Sequence, residues 1–331
     1  MRVPIALPTL VVALVTVGAD ARQPGPASPA QPAAPASEPP RPPPRPDTGS
    51  GPGDAVISGS AGGSEIVITT TTRLAGAIHS LRWGGREFID SHDHGRQLQS
   101  ASNLDVDGKL FNETFNPTEA GAERDQAGPA STSRLLWLSA GGRELQTVSR
   151  MAFWLRPGQS SGDHPALNTT ALSNHLLQKR VVIGADGLEH AVRHEITFTL
   201  PSDERHTRCT FEVLTGYMPG EFSAFHVLRA DDALEALPDG QGEQSLPVVV
   251  STADGGHAMG VWSPAVARTT GAAATYGRFA FPHAGVTKWN VVVRESRPAG
   301  LETGAWRHVA WVAVGNREQV RATLAELRRR K

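Results

Sequence analysis

Glu65-Ile66-Val67-Ile68-Thr69-Thr70-Thr71-Thr72, followed by Ile78-His79-Ser80-Leu81-Arg82-Trp83 and then Gly84-Gly85, decides how this chain is read. The first stretch is β-branched almost throughout, which suits a pleated, half-buried surface. The second alternates apolar and polar side chains and ends in a glycine pair able to take up the left-handed geometry of a hairpin turn. Further runs of this kind follow at 134–138, 147–155, 176–183, 192–200, 207–214, 246–251, 258–262, 289–295 and 306–314. Gly141-Gly142, Asp186-Gly187, Asp239-Gly240 and Asp254-Gly255-Gly256 punctuate them as turns. Only the C-terminus reads as helix: Asn316 stands as an N-cap, and Val320, Leu324 and Leu327 fall on one face. The expectation is a mainly β protein, a large two-sheet antiparallel β-sandwich closed by a short C-terminal helix. No repeat of propeller length occurs.

The chain has 331 residues, a formal net charge of -1 and a mean hydropathy of -0.27, values typical of a globular protein. Its only basic cluster is the terminal Arg328-Arg329-Arg330-Lys331, so nucleic acid is not an expected partner. Arg2 precedes an apolar run from Val3 to Gly18, and Ala19-Asp20-Ala21 offers a small-x-small cleavage pattern. Residues 1–21 are therefore read as a signal peptide, with no stable membrane insertion after cleavage and a periplasmic or secreted destination. Residues 22–55 are dominated by Pro, Ala, Ser and Gly, including Pro39-Pro40-Arg41-Pro42-Pro43-Pro44-Arg45-Pro46, and read as a disordered spacer biased toward polyproline II. The folded domain is expected over 56–331. Cys209 is the sole cysteine, which rules out an intramolecular disulfide.

Three stretches resemble the galactose mutarotase-like β-supersandwich superfamily, which includes aldose 1-epimerases and domains of polysaccharide-degrading enzymes. Gly76-Ala77-Ile78-His79-Ser80-Leu81-Arg82-Trp83-Gly84-Gly85-Arg86-Glu87-Phe88 is similar to the family's opening strand pair. Asp93-His94-Gly95-Arg96-Gln97-Leu98-Gln99 resembles the place of its substrate-facing arginine. Trp289-Asn290-Val291-Val292-Val293-Arg294-Glu295, with Leu301-Glu302-Thr303-Gly304-Ala305-Trp306, resembles its last two strands and their acidic residue. Ser173-Asn174-His175-Leu176 stands where the epimerases carry their acid, although the Tyr-Phe-Asn that follows there is missing. The resemblance implies a supersandwich fold and a carbohydrate role, with His175 as acid and Glu295 as base if the reaction is aldose epimerisation.

Residues 91–99 also draw attention on their own chemistry. Read as a strand, they put His92, His94 and Arg96 on one face, a set suited to an oxygen-rich or anionic ligand such as a uronate. Arg96 would neutralise a carboxylate, and His94 would be the histidine that removes a proton in β-elimination. Gln97, Asn116 and Glu119 add hydrogen-bonding groups, the latter two from a loop fixed by Asn116-Pro117, and Trp83 offers a stacking surface. The His-x-His pair would hold a metal only if further donors such as Glu119 or His175 converged, so no metal and no cofactor is assigned. The reading is an exported carbohydrate-active or carbohydrate-binding protein recognising a sugar or uronate on a concave sheet face. Its competitors are a non-catalytic module tethered by the Pro-rich linker and an aldose 1-epimerase-like enzyme.

Overall fold

The computed structural model describes residues 52–268 and 273–330, all within one compact unit. The leader read at 1–21 lies outside the described residues, as does the Pro-rich segment up to residue 51; Ala55 already opens the first strand. Alternation governs the rest. Nineteen strands join into one hydrogen-bonded network among the described residues. One ribbon runs β1 (Ala55–Ala61), β2 (Ser64–Thr70), β3 (Ile78–Trp83), β5 (Leu98–Leu104), β13 (Arg208–Pro219), β20 (Val286–Ser296), β19 (Ala274–Phe281) and β16 (Gly242–Gln244). The other runs β7 (Arg134–Gly141), β8 (Glu144–Phe153), β11 (Leu172–Ile183), β12 (Ala191–Leu200), β21 (Gly304–Gly315), β18 (Ala258–Trp262), β17 (Val248–Ser251), β14 (Ala224–Leu228) and β15 (Leu234–Ala236). β6 (Pro117–Thr118) pairs with both β5 and β8 and stitches the ribbons together, while β4 (Arg86–Glu87) folds back on β3. β9 (Ser160–Ser161) and β10 (His164–Pro165) form a separate small hairpin.

Every pairing is antiparallel, and the two ribbons face each other across one core. Inward residues of β12, Ile196, Phe198 and Leu200, meet Phe211 of β13, with the Phe198 and Phe211 rings 4.9 Å apart. Each such fully buried large side chain contributes about 1.5–3 kcal/mol. The helix α2 (Arg317–Arg330) begins with a capping box: the Gln319 amide donates to Asn316 Oδ1, and the Asn316 amide donates to Gln319 Oε1, both at 2.9 Å. Its Val320 and Leu324 lie on Gly260 of β18, where any Cβ would come within 2.7 Å of both side chains. A one-turn helix, α1 (Pro264–Ala267), follows β18.

One expected strand is absent. Of residues 91–99, read as a strand with His92, His94 and Arg96 on one face, 91–97 are irregular, as is the segment from 88 that leads into them, and only 98–99 belong to a strand, β5. Asp90 Oδ1 accepts the His92 amide and Asp93 Oδ1 the Gly95 amide, each at 2.9 Å, so two Asx turns take donors a ladder would need.

β20 carries the strongest packing constraint. All of residues 286–293 are buried, so both faces of the strand are covered. On the core side the Trp289 indole lies over Gly216 of β13, where a Cβ would fall within 2.5 Å of the ring. Gly216→Ala is therefore expected to cost about 1–3 kcal/mol through overpacking, read as a lower urea midpoint at unchanged slope.

Candidate functional site

The residues singled out in the sequence do not converge. His92 is exposed on the 88–97 loop. His94 is fully buried, its Nδ1 2.6 Å from the Gln126 carbonyl and its Nε2 2.9 Å from that of Arg73, which makes it a clamp between loops. Arg96 is engaged by Asp93 at 2.7 Å and Asp90 at 3.3 Å. Gln97 is buried and donates to the Asp93 carbonyl, and Asn116 donates to that of Ser102. Trp83 is a core residue whose indole N–H donates to the Ala61 carbonyl. Glu295 lies opposite Cys209 near the end of β20, close to Arg297, with no contact to His175. His175 points inward from β11 to Glu204, Nε2 to Oε2 2.7 Å, and His206 Nε2 reaches the same oxygen at 3.0 Å.

Glu119 sits inside the sandwich. It accepts the Ser100 amide and forms an ion pair of 2.9 Å with Lys179, both side chains almost sealed from water. This pair ties β11 to the segment after β6, which is a structural task. The Lys179 ammonium also acts on His194, whose imidazole is fully buried without a hydrogen-bond partner among the described residues; burial, then Lys179, hold the His194 pKa well below the usual value.

A different set of polar groups shares one face. On β13 a bulge falls between Glu212 and Leu214, because Glu212 pairs with Val292 while Leu214 pairs with Val291. Val213 is the extra residue, and its insertion puts Glu212 and Thr215, three apart, on the same side. Thr215 Oγ1 accordingly donates to Glu212 Oε2 at 2.8 Å. The register then aligns Glu212, Thr215 and Tyr217 of β13 with Asn290 and Lys288 of β20, Gly277 and Phe279 of β19, and Gln99 and Ala101 of β5. This is the face turned away from the sandwich core, yet Gln99, Thr215, Phe279, Lys288 and Asn290 are all buried. The face is therefore covered and recessed below the surface, with Glu212 about 29% exposed at its edge.

Lys288 Nζ is 3.4 Å from Glu212 Oε2, and it also stands over the Tyr217 and Phe279 rings at 5.2 and 5.3 Å. Burial opposes the ammonium charge, but Glu212 and Tyr217 outweigh it and raise the Lys288 pKa. Burial likewise works against the Glu212 carboxylate, and Lys288 with hydrogen bonds from Thr215 and Asn290 overcomes it, lowering the pKa. Gly277 is needed beneath Asn290, since a Cβ there would lie 2.3 Å from its Oδ1. The amide oxygens of Gln99, Asn103 and Asn290 are buried without a protein donor among the described residues. Glu113, on the loop after β5, accepts from Ser161 at 2.9 Å and lies close enough to feel Lys288 and Glu212. Burial raises its pKa. Of the residues expected from the sequence, Arg96 comes near Tyr217 and the Gln97 carbonyl accepts the Tyr217 amide at 3.1 Å.

No protein-family model and no curated protein sequence matches the chain. Among solved structures it is similar to the Slr1438 protein of Synechocystis sp. PCC 6803, at 8% identity and a TM-score of 0.43, over 79% of this chain and 96% of that one. A glycoside hydrolase family 97 enzyme of Pseudoalteromonas sp. strain K8, in complex with panose, shows 7% identity and a TM-score of 0.41. A β-arabinopyranosidase shows 10% and 0.37. The latter two are carbohydrate-active enzymes, and this chain spans only 35% and 40% of their lengths.

Two outcomes follow from the charge pairs. Lys179→Met leaves Glu119 buried without its cation and should cost about 3–5 kcal/mol, much of it regained in the Glu119→Gln/Lys179→Met double variant; equilibrium denaturation of the three variants checks this. Glu212 has a lowered folded pKa, so its stabilisation is complete above its ordinary value of 4.5 and is lost as pH falls through the folded value. Lys288 has a raised folded pKa, so its contribution is complete below its ordinary 10.5 and is lost as pH rises through the folded value. The stability difference between wild type and Glu212→Gln should thus hold steady at neutral pH and shrink on acidification below about 4.5, measured by urea midpoints across pH.

Proposed function

We propose that this is an exported carbohydrate-binding protein whose ligand sits in the recess of β13, β20 and β19. The observation that carries the reading is the Lys288–Glu212 pair, set among buried amide oxygens with no protein donor among the described residues. A sugar hydroxyl both donates and accepts. It can therefore satisfy an amide or carboxylate oxygen and an ammonium at once, which an apolar ligand cannot do. Tyr217 and Phe279 supply flat apolar surface for a sugar ring, and the stacked Phe111–His164 pair, 3.7 Å between centroids, adds an exposed one near Glu113 on the same loop. A uronate carboxylate would find Lys288 and Arg96 as cations. Export and a periplasmic or secreted site follow the leader and spacer composition.

A catalytic reading has one feature in its favour: Glu113, close enough to feel Glu212, is held up by burial, while Glu212 is held down by Lys288 and its hydrogen bonds. Such a divergence suits an acid and a base acting on one bound sugar. Glu212 itself is committed to three partners, which suits holding a ligand more than moving a proton.

Calorimetry against mono- and oligosaccharides, neutral and uronic, tests the proposal. Glu212→Gln and Lys288→Met should each weaken binding at least about tenfold, a loss of about 1.4 kcal/mol, while His92→Ala leaves it unchanged. Saccharide binding indifferent to both recess variants would sink the recess as the site. Optical-rotation change of fresh sugar, new reducing ends or ultraviolet absorbance from unsaturated uronates would mark turnover; Glu113→Gln should then abolish turnover and keep binding.

A further inference from the structure

We propose that His175, Glu204 and His206 form a binding site for a divalent transition-metal ion of the zinc type, separate from the recess. The three side chains come from β11 and from the turn between β12 and β13, and their ligand atoms all lie within 4.8 Å of one another. His175 Nε2 and His206 Nε2 both converge on the single oxygen Glu204 Oε2, at 2.7 and 3.0 Å. Ligand atoms around a tetrahedral zinc stand about 3.4 Å apart at bond lengths near 2.1 Å, so an ion needs Glu204 Oε2 to draw back by about 0.7 Å from His175 Nε2 and about 0.4 Å from His206 Nε2.

The surroundings hold the donors as a metal site requires. His206 Nδ1 is 2.5 Å from the Asp105 carbonyl, which fixes the ring and leaves Nε2 aimed at the cluster. The Asp105 carboxylate is buried and accepts the Thr207 amide and hydroxyl and the Arg208 amide at 2.7 to 2.8 Å, so the segment carrying His206 is itself held in place. On the apolar side Phe115 lies 5.4 Å from the His206 ring and 6.1 Å from that of His175, with Phe153 6.5 Å from His175. Glu204 is 22% exposed, so the remaining side opens to solvent. Two imidazoles and one carboxylate suit zinc or a neighbouring first-row ion better than calcium or magnesium. Three protein donors leave a fourth position for water or a ligand atom.

The test uses the full-length, untagged protein after dialysis against a chelator. Zinc titration by calorimetry should give one equivalent, and cobalt substitution should give the visible absorption bands of a low-coordinate site. Zinc should also raise the melting temperature, as any ligand of the native state does. His206→Ala and Glu204→Gln should weaken the metal about 100-fold or more, the latter keeping the shape of the cluster and a folded circular dichroism spectrum; His92→Ala should behave as wild type. Absence of a stoichiometric ion in the wild type, or equal binding by Glu204→Gln, would overturn the proposal and leave a carboxylate bridging two histidines.

Discussion

The molecule turns on the register of β20, a strand buried on both sides. Its odd-numbered residues Trp289, Val291 and Val293 belong to the core between the ribbons, and its even-numbered Lys288, Asn290 and Val292 belong to the recess. A slip of one residue would drive Lys288 and Asn290 into the apolar interior and Trp289 into the polar hollow, so packing and site geometry are fixed by the same pairing. Gly216 and Gly277 hold that register from either side, one vacated for the Trp289 ring and the other for the Asn290 amide.

The bulge at Val213 complements this arrangement from the neighbouring strand. A regular β13 would send Glu212 and Thr215 to opposite faces. With one extra residue, Glu212 is hydrogen-bonded on its own strand and ion-paired across to Lys288. The ammonium is stable in a buried place because carboxylate, phenol and ring face surround it, and the carboxylate because it has several donors. Each charge of the pair is the reason the other persists.

What the sequence made legible was whatever repeats along one strand. β12 shows its alternation in Val192, Ile196, Phe198 and Leu200, and the capped helix shows in Asn316 with Val320, Leu324 and Leu327. β5 was illegible because Gln99, Ser100, Ser102 and Asn103 are polar on both faces, some filling the recess and Ser100 bonding the Val213 carbonyl in the interior. The start of β20 was hidden because Thr287 and Lys288 look like loop residues until their burial is known. The same holds for the site. His92, His94, Arg96 and Gln97 stand out by local density, yet density of short polar groups is also what makes Asx turns and irregular loops. Glu212 and Lys288 are about seventy-five residues apart, and only the β13–β20 pairing brings them onto one face, with Glu113 close by on the loop after β5. Lys288 stood just outside the run read at 289–295, so nothing local in the sequence pointed there.

The segment joining β5 to β6 connects the recess to the histidine–glutamate cluster. Asp105 at its start fixes the segment that carries His206, Phe115 near its end packs on His175 and His206, and between them Glu113 faces Lys288 and Glu212. Glu113 holds a left-handed φ of 66° and Asp107 one of 49°, conformations that cost a non-glycine residue of order 1–3 kcal/mol each. Such backbone persists only where its surroundings over-determine it, and here the Leu104 amide to the Phe115 carbonyl, the Leu167 amide to the Thr114 carbonyl and the Ser161 hydroxyl to Glu113 do so. The strain is thus held by contacts on both sides of the loop. Thr114 alone separates Phe115 on the cluster side from Glu113 on the recess side, so one stretch of constrained backbone borders both sites.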